Sequence, residues 1–368
     1  MSKQVLSLDC SIAKGGGQIL RSALSFSILT GRAIYLKNIC TGYSPAGLTS
    51  SKLALIDALK DATKAKTSGL SLGSTEFLFE PQRVFSQKAI EVELTTPDAA
   101  SLVLDGLLLP ALFSGRKIAI TIQGLTHSAR TPTMSFYNKV FAKYLKPYVK
   151  NFTLSVEKTG FYPESGLVKL YLEGKYTLQD EIPPLNIEKS NELVAILGEL
   201  LVSKEYATEQ SQKQINHVLS IALRDEKVPF RLDMSSTNAE ESGLALLLAA
   251  YYGTKEGYDN DRAFVVGKDF IYSAKTETVD AAVLRFVSEF KKLLTEESLD
   301  IRTAELLLPL LVVVGGSIPI SSQSKYILAM AALAKQFFDL DLEFQEKEVL
   351  CEGYLAKELR ETPFVEDL

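Results

Sequence analysis

The stretch LDCSIAKGGGQILRSALSFSILTG, from Leu8 to Gly31, limits the possible folds more than any other part of the chain. An apolar run, Val5 to Leu8, suits a buried strand, and Gly15-Gly16-Gly17 follows almost at once. Three consecutive glycines let a backbone turn where side chains would collide, and they bring amide groups close to a ligand. Ile19, Leu20, Ala23, Leu24, Ile28 and Leu29 then recur at helical spacing, so the loop opens a helix with an apolar stripe for a sheet. Gly31 ends that helix.

A glycine-rich turn from strand to helix suits an anion, because unpaired amides and the positive end of the helix dipole face it. Gly15, Gly16, Gly17 and Gln18 are therefore candidate phosphate-binding residues, and Arg21 adds a guanidinium that forks onto a phosphate. Lys14, just before the glycines, is a further candidate. The loop is not a Walker A sequence, since no Gly-Lys-Ser/Thr follows, and it lacks the G-x-G-x-x-G dinucleotide pattern. A tight turn without a ligand satisfies the same residues.

Leu8-Asp9 and the run Gly15 to Ser25 resemble the N-terminal signature of the RNA 3'-terminal phosphate cyclase family. Further matches are Gly42 with Pro45-Ala46-Gly47-Leu48, Gly160-Phe161-Tyr162-Pro163 with Ser165-Gly166, and Phe264-Val265-Val266-Gly267. The resemblance covers nearly the full length. It implies an α/β (α+β) fold in which a large domain of three repeated α/β units carries a small inserted α/β domain. It also implies an enzyme that uses ATP with a divalent metal ion to adenylate a histidine and pass AMP to an RNA 3'-phosphate. The neighbouring 2'-hydroxyl then displaces AMP and leaves a 2',3'-cyclic phosphate. A related branch has lost the activity and serves in pre-ribosomal RNA processing.

Against that pattern the reactive positions differ. The nucleophilic histidine of the family aligns with Tyr326, or with Lys325 if the loop shifts by one. A lysine attacks phosphorus only when its pKa is lowered, and a phenol, titrating near ~10, needs strong activation. The arginine of the first motif is kept as Arg21, whereas an acidic position before the glycines is Lys14. Basic residues flanking the glycine that aligns with Gly42, and a glutamine beyond it, are replaced by Cys40, Tyr43 and Ser51. Tyr43 keeps the ability to stack on a base. A nucleotide-contacting glutamine aligns with Asp105, whose charge repels a triphosphate, and an Asp-Gln pair before L-x-L-P reads Ala304-Glu305. Asp98 is expected to cap the helix after it. His127 reads as a loop histidine and His217 as a surface or packing residue of a helix.

A formal net charge of -5 excludes a globally basic nucleic-acid binder but leaves room for a local basic groove. Cys10, Cys40 and Cys351 are odd in number and lack C-x-x-C spacing, so they read as idle thiols in a reducing cytoplasm. A nucleolar location follows only for a eukaryotic ribosome-assembly factor. The N-terminus lacks a secretory apolar core, and Leu306 to Val314, broken by Pro309, is too short to span a bilayer. With two histidines, no histidine-rich metal site is expected.

A chain of 368 residues suits two domains. Strand and helix patterns alternate through residues 1–182 and again through 262–368, the expected large domain. The order breaks at Pro183-Pro184, and residues 183–261 read as the inserted domain, with helices over Asn191 to Leu201 and Glu209 to Leu223 and strands over Pro229 to Met234 and Leu244 to Tyr252. The expectation is a cyclase-like protein, inactive or altered, that binds an RNA 3' end or a protein partner of an RNA-processing complex. The alternative is an active ATP-dependent cyclase with a nucleophile other than histidine.

Overall fold

The computed structural model describes residues 5–12, 16–188, 192–238, 243–253, 264–272 and 277–356. Three of its four sheets share one strand order. In the first, β1 (Leu6–Asp9) runs parallel to β2 (Ile34–Lys37), β2 is antiparallel to β4 (Phe77–Glu80), and β4 is antiparallel to β3 (Lys66–Ser68). The second repeats the pattern with β5 (Ala89–Glu93), β6 (Lys117–Gly124), β8 (Gly166–Gly174) and β7 (Val149–Lys158). In the third, β9 (Leu185–Asn186) lies parallel to β14 (Gly316–Pro319), followed by β16 (Glu348–Cys351) and β15 (Glu343–Gln345). The fold class is therefore mixed α/β, as the sequence implies.

Each parallel pair needs a crossover, and helices supply it. α1 (Gly17–Thr30) and α2 (Ser50–Thr63) serve the first sheet, and α3 (Ala100–Leu112) serves the second. A helical run made of α4 (Met134–Phe136), a π turn (Tyr137–Phe141) and α5 (Ala142–Leu145) also belongs to the second sheet. The fourth sheet, in the order β11 (Phe230–Ser236), β10 (Leu193–Val202), β12 (Leu244–Tyr252) and β13 (Phe264–Tyr272), is covered by α6 (Glu209–Ala222) and α7 (Val279–Thr295). α8 (Ile301–Val314) and α9 (Lys325–Phe338) complete the third unit.

The crossover helices of different units meet at the centre. α1 packs on α3 and α9, and α8 packs on α3 and α9. Phe26 of α1 meets Phe337 and Phe338 of α9 at ring distances of 5.6 and 5.0 Å. These contacts fix the N-terminal ends of α1 and α9 beside one another, which is what places the site described below.

Several elements depart from the sequence expectations. The helix expected over Asn191 to Leu201 is strand β10, and Asn191 itself lies outside the described residues. Its residues are apolar on both faces because β10 is an interior strand, and that composition fits a buried helix equally well. Gly198 suits the strand, since a Cβ there would come within 2.7 Å of Leu232. The helical run from Met134 to Leu145 contains the π turn, a local widening common at functional sites. β13 belongs to the same sheet as β12, so the expected boundary at residue 261 falls between two paired strands. Among the described residues no helix is long and apolar enough to cross a membrane.

Candidate functional site

The N-terminus of α1 is open. Gly16 caps it without a side-chain hydrogen bond, and no acidic residue occupies the first turn. Gly16, Gly17 and Gln18 line a cavity of about 550 Å³ at this helix end. Gly17 sits close beneath two cations: a Cβ there would be 3.2 Å from Arg21 Nη1 and 3.5 Å from Lys52 Cε. Lys14 and Gly15 lie outside the described residues.

Arg21 is buried and forms an ion pair of 3.4 Å with Asp105 on α3. Asp105 also accepts a hydrogen bond from the Tyr137 phenol, delivered by the first residue of the π turn. Burial pushes the Asp105 carboxyl up, against Arg21 and Tyr137, both of which favour its charged form. Burial beside Asp105 holds the Tyr137 phenol well above the usual tyrosine range. The guanidinium at the floor of the cavity is thus already engaged by a carboxylate.

Opposite α1, Ser324 caps α9 by accepting from the amide of Ile327 at 3.1 Å. Its hydroxyl donates to Glu305 Oε1 at 2.7 Å. Tyr326, in the first turn, is buried and hydrogen-bonded to Ser22 of α1 at 3.3 Å. Burial pushes its phenol well above the ordinary range, so the oxygen stays protonated. Lys325 is exposed and, with Gly16, Gln18, Tyr43, Glu305 and Tyr326, lines an adjoining cavity of about 550 Å³.

The structure brings Gly16, Gly17, Gln18, Arg21, Tyr43, Asp105, Glu305, Lys325 and Tyr326 to these two cavities. Ala304 is not among them: it is fully buried in the core, because the turn of α8 that exposes Glu305 turns its neighbour inward. Asp98 does not cap α3, whose cap is Ala99 with no side-chain bond. Asp98 instead accepts from Ser51 and from the amide of Ala99, on the cavity wall. Lys52 is half-buried at the cavity and donates to Thr49 at 3.2 Å. Arg130 and Arg302 also reach it and carried no sequence signal. His127 is buried away from the cavity, bonded to Thr126 at 2.8 Å and stacked on Phe161 at 4.9 Å. Burial lowers its pKa to about 4.

The family profile for RNA 3'-terminal phosphate cyclase matches residues 12–344 of this chain. The chain belongs to this family. It is 28% identical to the RNA 3'-terminal phosphate cyclase of Archaeoglobus fulgidus over 279 residues, 76% of this chain and 83% of that protein. The cyclase of Sulfolobus acidocaldarius is 25% identical over 350 residues, 93% of this chain and 97% of its own length. That of Metallosphaera sedula is 30% identical over 248 residues, 67% of this chain and 71% of its own. The cyclase match begins before the glycine turn and runs past α9, so it includes both walls of the cleft.

Proposed function

We propose that this cyclase-family chain seats the phosphorylated 3' end of an RNA in the cleft between α1 and α9 without adenylating it. The observation that carries the reading is the buried phenol of Tyr326, bonded to Ser22, at one of the two positions, Tyr326 and Lys325, that match the family's histidine. Such an oxygen is neither ionised nor free to attack phosphorus. The open amides of α1, with Lys52 and Arg130, supply a phosphate seat that needs no nucleophile. Exposed Tyr43 offers a ring for the terminal base.

ATP with a divalent ion fits these residues poorly. Asp98, Asp105 and Glu305 are already held by Ser51, by Arg21 and Tyr137, and by Ser324. Among the described residues, no three His, Cys, Asp or Glu side chains are grouped to hold a metal. On this reading the protein serves RNA processing by occupying an end, in the cytoplasm, where its buried thiols stay reduced. The fourth sheet, with α6 and α7, is then an insertion within the third repeat.

The test is binding and turnover on one substrate. A 3'-phosphorylated oligoribonucleotide should bind more tightly than its 3'-hydroxyl counterpart and be recovered unchanged after incubation with ATP and magnesium. Equal binding of the two, or conversion to the cyclic phosphate, contradicts the proposal. Lys325 favours a second reading, an active enzyme, because it is exposed beside the cavity at the start of α9. That reading requires an AMP adduct that disappears in Lys325→Ala.

A further inference from the structure

A third cavity, of about 240 Å³, adjoins the cleft and shares two residues with it, Thr131 and Arg302. Its other walls are the loop at Ser128, the strand β13 and the helix α7. Three cations line it: Lys268, Arg285 and Arg302. Their counter-charges are acidic side chains at or beside the groove. Lys268 meets Glu289 at 3.2 Å, Arg285 meets Glu277 at 2.7 Å and Glu289 at 3.3 Å, and Arg302 pairs with Asp269. The pairs of Lys268 and Arg285 are half-exposed, contribute little and give way readily to a phosphate that binds two cations at once, whereas Arg302 stays held by buried Asp269.

The groove also offers an aromatic surface and backbone donors. Phe270 is half-buried and stacks on buried Phe286 at 4.7 Å, and both line the cavity. β13 is an outer strand whose free-edge amides at Val265 and Gly267 donate to Tyr144 at 2.9 Å and to Asp300 at 3.1 Å. Strand alternation puts the amides of Asp269 and Ile271 on that same edge, where the groove begins. Cations beside an aromatic ring, continuous with a site for an RNA end, match what single-stranded RNA requires.

We propose that this groove takes the nucleotides preceding the 3' end, the strand crossing from the cleft at Thr131 and Arg302. The inference rests on the cleft being the seat of the RNA end. A base lies on Phe270, and the phosphates on either side meet Lys268 and Arg285 in place of Glu289.

Fluorescence anisotropy with 3'-phosphorylated RNA of two lengths tests it. The full-length protein should bind an octanucleotide about tenfold more tightly than a dinucleotide. In the double variant Lys268→Gln, Arg285→Gln the length gain should vanish while dinucleotide affinity holds. The salt dependence for the octanucleotide should be shallower by about 1.4 for two lost phosphate contacts. Glu289→Gln, which removes the competing carboxylate, should tighten the octanucleotide alone. Dinucleotide binding with no length gain, or a double variant that keeps it, overturns the groove while leaving the cleft intact. Equal displacement of the octanucleotide by an extended acidic peptide also overturns it, in favour of a protein surface. Failure of every RNA to bind removes the cleft reading, and the groove with it.

Discussion

The guanidinium of Arg21 is paired with Asp105, which on the proposed reading competes with the phosphate that enters the cleft. Replacing Asp105 with Asn keeps the shape and an acceptor for Tyr137 while removing the competing charge. A 3'-phosphorylated RNA should then bind about tenfold more tightly, roughly 1.4 kcal/mol, which is in the range of one charge-assisted hydrogen bond. Unchanged affinity in an anisotropy titration would show that Arg21 does not read the phosphate. A different residue sets the response to acid. His127 is held neutral to about pH 4 in the folded chain, against 6.5 when exposed. The unfolded chain therefore takes up this proton first. The stabilisation is complete above 6.5 and is lost as the pH falls towards 4, by at most about 3 kcal/mol. Urea melts of the wild type and His127→Gln, compared near neutral pH and near pH 4.5, should converge on the acid side. A constant difference between the two would refute this assignment.

At the level of elements, the cleft depends on two devices at its rim. Gly47 has φ of 82°, and a Cβ there would lie 2.2 Å from the carbonyl oxygen of Gly73. Gly47→Ala should destabilise the protein by more than about 2 kcal/mol, from backbone strain and collision together. A thermal melt within a degree of wild type would contradict that. Ser324 both caps α9 and ties it to Glu305, so Ser324→Ala should cost about 1 kcal/mol. Denaturant titration checks this value. The period of apolar residues disclosed α1 and α6 in the sequence, and α6 buries a single face through Ile215 and Leu219. β10 was not legible as a strand, since an interior strand is apolar throughout and lacks alternation. The π turn left no periodic trace either, yet it is what aims Tyr137 at Asp105.

Across the whole molecule, three sheets of one topology turn their crossover helices inward, and the cleft forms where α1, α2, α3 and α8 converge, with α9 lining the adjoining cavity. Residues in continuous motifs, such as Gly16, Gln18 and Arg21, were recognisable before folding. Lys52, Arg130 and Arg302 were not, because each looks like an ordinary surface cation until the units come together. Asp98 was misread as a local cap when its partner, Ser51, lies on another helix. The chain belongs to the cyclase family, and on the proposed reading the place of the family's histidine is taken by Tyr326, which packs against Ser22. The most direct test is to incubate the purified protein with ATP labelled in the α-phosphate and a divalent ion, and to count covalently retained AMP. The account predicts none above a heat-denatured control. A stoichiometric adduct would contradict it.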